Sequence, residues 1–215
     1  MRRVAESAQT LDRGLRVLFA LADAPRGRSV AELAADFGLA RPIVYRLLST
    51  LASHGLVRRS GDGTFRIGLA VLDLARRVQP LLREAAVPAL RGLAERVGAT
   101  AHLTVADGGE ALAIAVVEPS WTDYHVAYRV GSRHPLGQGA AGRAILLARA
   151  AEPGGPPWLT SEGELQAGAR GVAAPVPDVP GLEASIGVVA LGDLIAEEAG
   201  PHVVAAAAQL AATLR

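Results

Sequence analysis

Cysteine is absent from the 215-residue chain. A disulfide framework and thiolate chemistry are therefore excluded, and the redox compartment stays open. Lysine is absent too: all 22 positive charges are arginine, a bias that genomic base composition explains without any function. No apolar run reaches the roughly 18–20 residues that span a bilayer, so no membrane partner is expected. Met1-Arg2-Arg3 leads into no apolar stretch, so no secretory signal is expected and a cytoplasmic protein is the default. His54, His102, His125, His134 and His202 are scattered without HxxxH or HxH spacing. With no Cys beside them, no metal site is expected. GxSxG, a P-loop and paired acids at readable spacing are all missing, so the expectation is a non-enzyme without a cofactor. No internal repeat is found.

What is present divides in two. The net charge of +1 hides an asymmetry. Residues 1–79 carry thirteen Arg against seven acids, a net of +6, and residues 80–215 carry nine Arg against fourteen acids, a net of −5. A basic front and an acidic back fit a nucleic-acid module joined to something else. The length and a hydrophobic content of 50% allow two cores.

Ser29 to Gly68 is the most informative stretch. Ser29 with Glu32 spells a capping box. Val30, Leu33, Ala34 and Phe37 repeat at helical spacing, and Gly38 signals the helix end. Pro42 suits the first turn of a second helix. Val44, Leu47, Leu48 and Leu51 give that helix a buried stripe, while Arg41, Tyr45, Arg46, Ser49 and Ser53 share the other face. Leu56–Arg59 and Thr64–Ile67 then alternate around Gly61-Asp62-Gly63, a hairpin signal. The sum is a winged helix-turn-helix whose recognition helix spans about 41–53. Candidate contacts to a double-stranded DNA operator are Ser29, Arg41, Pro42, Tyr45, Arg46, Ser49, Arg58, Arg59 and Arg66.

Upstream, residues 8–24 read as an amphipathic helix with Leu11, Leu15, Leu18, Phe19 and Ala22 on one face, packing behind the helix-turn-helix. Downstream, 69–79 reads as a linker helix ending near Pro80. A second helix over 81–97 should kink or break at Pro88. From Ala99 the pattern changes to strand, Asp-Gly-Gly turn and strand. A third strand is expected at Tyr124–Val130, a helix at Gly139–Ala150, strands at Val172–Val176 and Ala184–Leu191, and a closing helix at Pro201–Leu214. This mixture indicates an α+β domain with an antiparallel sheet. The expected organisation is 1–67 DNA-binding, 68–79 linker and 80–215 second domain.

Gly137-Gln138-Gly139-Ala140-Ala141-Gly142 spells GxGxxG and opens a helix, but no βαβ unit surrounds it, so a dinucleotide site is not expected. A glycine-rich helix N-terminus still offers free N–H groups to a ligand; tight packing of helix on sheet is the other reading.

Several stretches together resemble the IclR family of bacterial transcriptional regulators: TLDRGLRVLFALADAP, SVAELAADFGLARPIVYRLLSTLASHGLV, TFRIGLAVLDLA, VGSRHPLGQGAAGRAILLA and GARGVAAPV. The resemblance covers nearly the whole chain in order. It implies a DNA-binding homodimer or homotetramer, more often a repressor, with a GAF-like second domain that binds a small-molecule effector. It also implies that the turn at Gly139 lines the effector site, with Ala140 and Ala141 at the backbone-donor positions. Ser161, Gly171, Gly187 and Val189 fall where some members carry acidic, thiol or hydroxyl groups. With only Ser161 polar, a mainly apolar pocket for an apolar or aromatic effector is expected. His125 and Tyr128 are candidate donors, and Trp158 is expected over the opening. Pro42 and Ile43 replace the family's usual Ser or Thr pair. The segment 151–168 is short for the family, which leaves a degenerate sensor as an alternative reading, and a small-molecule enzyme as a more distant one.

Overall fold

The computed structural model of the protein describes residues 8–121, 128–150 and 154–215, and contacts divide the chain into units Met1–Val78 and Gln79–Arg215. The first unit contains α1 (Gln9–Ala22), α2 (Val30–Phe37), α3 (Arg41–Ser53), β1 (Val57–Arg59) and β2 (Phe65–Ile67). Ser29 caps α2 in a complete capping box: its hydroxyl accepts from the Glu32 amide, and the Glu32 carboxylate accepts from the Ser29 amide. Gly38 ends α2 at φ 61°, a conformation that costs other residues a Cβ clash. Val44, Leu47, Leu48 and Leu51 are buried as the stripe predicts, with Leu33, Ala34, Val57 and Phe65 around them.

The first helix turns a different face inward. Gly14, Val17 and Leu21 are its buried positions, whereas Leu11, Leu15 and Phe19 stay exposed. Gly14 and Val17 let the α1 backbone approach α3, a fit that the larger side chains on the other face do not allow.

One helix, α4 (Ala70–Val97), replaces the expected linker helix and its broken successor. It runs through Pro80 and Pro88 without interruption. Both prolines lie on exposed positions, where water can satisfy the carbonyl that each leaves unpaired.

The second unit is a six-stranded antiparallel sheet in the order β5-β4-β3-β8-β7-β6. Its strands are β3 (Thr100–Asp107), β4 (Glu110–Val117), β5 (Arg133–Pro135), β6 (Leu159–Glu162), β7 (Ala169–Pro175) and β8 (Ala184–Leu191). Leu82, Leu90 and Leu93 of α4 pack on one face with Val203, Ala207 and Leu210 of α6 (Ala196–Leu214). The other face carries α5 (Gly139–Ala150) through Ala140, Ala141 and Ala144 against Ala173. This is the expected α+β arrangement, with local differences. The strand expected at Tyr124–Val130 falls largely on residues outside those described, and Tyr128–Val130 are not strand. The edge position belongs instead to β5, held by pairing of His134 with Ala111. The closing helix begins at Ala196, ahead of Pro201. Among the described residues, no helix is long and apolar enough to cross a membrane.

Candidate functional site

In the first unit the polar side of α3 is open. Arg41, Pro42, Tyr45, Arg46 and Ser49 are all exposed, and the buried stripe on the opposite side fixes the helix beneath them. Thr50 and Ser53 donate their hydroxyls to the Arg46 and Thr50 carbonyls, so they are partly used within the helix. Arg58 and Arg59 of the wing are exposed. Arg66 is only half-exposed and directly opposes Arg58 across the hairpin. Like charges placed so are unfavourable; Asp62, 3.7 Å from the Arg66 guanidinium, offsets them. Asp62 also accepts from the Thr64 amide and hydroxyl, and these bonds hold its carboxyl below the usual range. The Ser29 hydroxyl, a candidate phosphate contact, is already engaged with Glu32 at both its donor and its acceptor.

The second unit contains a cavity of about 260 Å³ between the sheet and the start of α5. It lies just below the roughly 300–1,000 Å³ typical of pockets for drug-sized ligands. Ala140, Ala141, Ser161, Gly171, Val189 and Tyr128 line it. Gly139 and Gly187 do not. The Gly139 amide donates instead to the Glu164 carboxylate at 2.8 Å. Gly187 lies behind the cavity wall: a Cβ there would come within 2.7 Å of the His102 ring. His125 lies outside the described residues. Trp158 does not cover the opening but packs against Gly200 of α6. Leu165 and Gln166, in the connection between β6 and β7, line the cavity instead.

The lining is mainly apolar, as expected, but it holds more polar groups than Ser161 alone. The main reason is a pair of histidines that chain-order reading passed over. His102 on β3 and His134 on β5 both face the cavity and are nearly completely buried. A signal was available: Thr100, His102 and Thr104 alternate with Ala101, Leu103 and Val105, a polar stripe on one face of a buried strand. His102 Nδ1 lies 3.1 Å from the Thr104 hydroxyl, and the His102 ring tilts against Tyr128 at 4.8 Å between centroids. Burial, assisted by His134, lowers the His102 pKa to about 3; the ring is neutral at pH 7. Burial also raises the Tyr128 phenol above its usual value, a shift that the Thr104 hydroxyl opposes. His102 and Tyr128 therefore present polar groups without charge to the cavity.

The third glycine of the GxGxxG run has a packing reason. A Cβ on Gly142 would lie 2.4 Å from the Leu136 carbonyl oxygen, so only Gly lets the turn fold back on α5. Among the described residues, no cluster of three metal-ligating side chains occurs.

Two family models match the chain in order. The IclR helix-turn-helix domain matches residues 10–61, and the bacterial transcriptional regulator IclR C-terminal domain matches residues 77–153. The chain is 30% identical to the HTH-type transcriptional regulator TtgV of Pseudomonas putida, over 67% of this chain and 56% of that protein. It is 29% identical to the transcriptional repressor IclR of Escherichia coli, over 64% of this chain and 52% of that one. The HTH-type transcriptional regulator KipR of Bacillus subtilis is 30% identical over 55% of this chain and 48% of its own length. The chain thus spans about half the length of the curated relatives it matches. In fold it is similar to an IclR-family transcriptional regulator from Rhodococcus sp. (TM-score 0.59, 24% identity, 100% and 99% of the two chains). It is also similar to an IclR homologue from Microbacterium hydrocarbonoxydans complexed with 4-hydroxybenzoate (TM-score 0.54, 22% identity, 96% and 99%).

Proposed function

Because the chain belongs to the IclR family of bacterial transcriptional regulators, we propose that it binds an operator through α3 and the wing and answers a small-molecule effector held beside α5. The observation that carries this reading is the open face of α3, where two guanidinium groups, a phenol and a hydroxyl stand exposed on a helix whose other side is fully packed. Such groups match phosphate oxygens and base edges in a major groove. The exposed arginines of the wing suit the flanking backbone. Arg41, Tyr45, Arg46, Ser49, Arg58 and Arg59 are the contacts we assign. Arg66 adds charge to the same hairpin, and Ser29 serves mainly as the cap of α2.

The function we assign is transcriptional repression, in the cytoplasm, by a homodimer or larger homo-oligomer. Paired recognition helices reading half-sites about one helical turn apart supply the specificity that one small module lacks. The cavity beside α5, with two histidines and Ser161 in its lining, supports an effector site over a degenerate sensor. No catalytic step is assigned: the Ser185 hydroxyl, at the base of α5, donates to the Ala141 carbonyl and serves packing. The test is selection of bound duplexes from a random pool. Enrichment of a two-fold symmetric site is expected, bound with an affinity that falls log-linearly with salt. Failure to enrich any sequence overturns the reading.

A further inference from the structure

The cavity beside α5 carries a chemical preference that its position alone does not give. Its charges are already satisfied by the chain. Arg133, the guanidinium among its lining residues, donates to both Asp107 and Glu110. Outside the lining, Arg143 in the second turn of α5 pairs with Glu164 at 2.9 Å and donates to the Thr160 carbonyl. Glu164 also accepts from the Gly139 amide, so a carboxylate of the protein sits at the positive end of the helix dipole. His102 is neutral. An anion entering here would meet no unpaired cation among the described lining residues; Glu164, paired with Arg143, is not one of those residues. Desolvating its charge would go uncompensated.

A second observation points to what the cavity lacks. His134 is 6% exposed, and its Nδ1 lies 3.1 Å from the Pro135 carbonyl. A carbonyl only accepts, so Nδ1 carries the proton and donates. In the neutral ring, Nε2 is then a bare lone pair. It is buried without a partner among the described residues, and the residue lines the cavity. The Tyr128 hydroxyl is also buried, with no partner within hydrogen-bond geometry among the described residues; as a phenol it can donate as well as accept. Leaving such groups unpaired is unfavourable; a ligand that donates to His134 Nε2 and gives or takes a hydrogen bond at the Tyr128 hydroxyl gains what water otherwise supplies.

We propose that this cavity selects an uncharged, hydrogen-bond-donating small molecule of single-ring size, such as an amide, phenol or alcohol, over a carboxylate. No described lining group offsets an anion's charge, and His134 Nε2 accepts from the ligand. This rests on reading the cavity as the effector site. The test uses benzamide, benzoate and acetophenone, three probes of nearly one shape that separate charge from donor capacity. Each is titrated calorimetrically into the full-length protein. Benzamide is expected to bind at least tenfold more tightly than either of the others. His134→Phe should reduce benzamide to the level of acetophenone. Benzoate binding the wild type as tightly as benzamide overturns the proposal while leaving the effector site standing. The wild-type comparison decides this even if a variant does not fold. If no probe binds the wild type, the effector-site reading falls and the proposal with it.

Discussion

His102 is placed by the smallest residue opposite it. It pairs across the sheet with Gly187, and the missing side chain there leaves room for the imidazole. Full burial then keeps the ring neutral, with a pKa of about 3 against an ordinary value of 6.5. Because the folded value lies below the unfolded one, the folded state excludes a proton that the unfolded chain takes up. Stability is fully present above pH 6.5 and declines as pH falls toward 3, by about 1.4 kcal/mol for each pH unit inside that window. Urea unfolding at pH 6.5 and pH 5, where most carboxylates remain ionised, should show this loss for the wild type and a flatter profile for His102→Gln. Parallel profiles would contradict the burial argument. On the surface the arginines separate by role. Arg46→Ala should cost about 1–3 kcal/mol at one operator position and relax the preference there. Arg58→Ala should instead weaken all sequences alike and reduce the salt slope by about 1. Anisotropy titrations on operator and scrambled duplexes distinguish the two, and equal loss on both duplexes for Arg46→Ala would remove it from base reading.

Elements with local signals were legible from sequence. The capping box of α2, Gly38, the stripe of α3 and the Gly61–Gly63 turn all act within a few residues, and the structure contains each of them. The elements that escaped are fixed by distant partners. Arg133–Pro135 and Leu159–Glu162 carry no strand pattern of their own; they are strands because β4 and β7 offer them edges. Prolines stop a helix only where the freed carbonyl has no other partner, and in α4 it faces solvent. The same division holds for the candidate site. The turn before α5 could be read, whereas His102 and His134 meet only because β3 and β5 flank β4. Two substitutions test the local devices. Ser29→Ala should destabilise the first unit by about 1 kcal/mol through loss of the cap. Gly142→Ala should cost about 1–3 kcal/mol, since its methyl group meets backbone rather than a mobile side chain. Denaturation midpoints measure both, and an unchanged midpoint for Gly142→Ala would mean that the Leu136 turn can move aside.

Among the described residues, α1 and α4 each carry a row of uncovered apolar side chains. Leu11, Leu15 and Phe19 stand exposed along α1 at 62%, 42% and 66%. Leu74, Val78 and Leu81 form an exposed row on α4 at i, i+4 and i+7. Single exposed apolar residues are ordinary, but rows at helical spacing have the form of a helix seam. The α1 row also explains why the helix seemed, from sequence, to face the other way. Its larger apolar residues lie on the side that α3 does not cover, while Gly14, Val17 and Leu21 make the internal contact. A regulator that reads paired half-sites needs two recognition helices held at fixed spacing, and association through such rows would provide it. The expected outcome is a particle of at least twice the 22.1 kDa chain mass by light scattering at micromolar concentration. Leu15→Glu combined with Phe19→Glu should lower the mass toward one chain while leaving the circular dichroism unchanged, because neither side chain contributes to the buried core. Operator affinity should fall with it, and more steeply at low protein concentration, as a linked dimerisation requires. A wild-type protein that stays monomeric at these concentrations and still binds its operator would remove the seam and the paired-helix reading together.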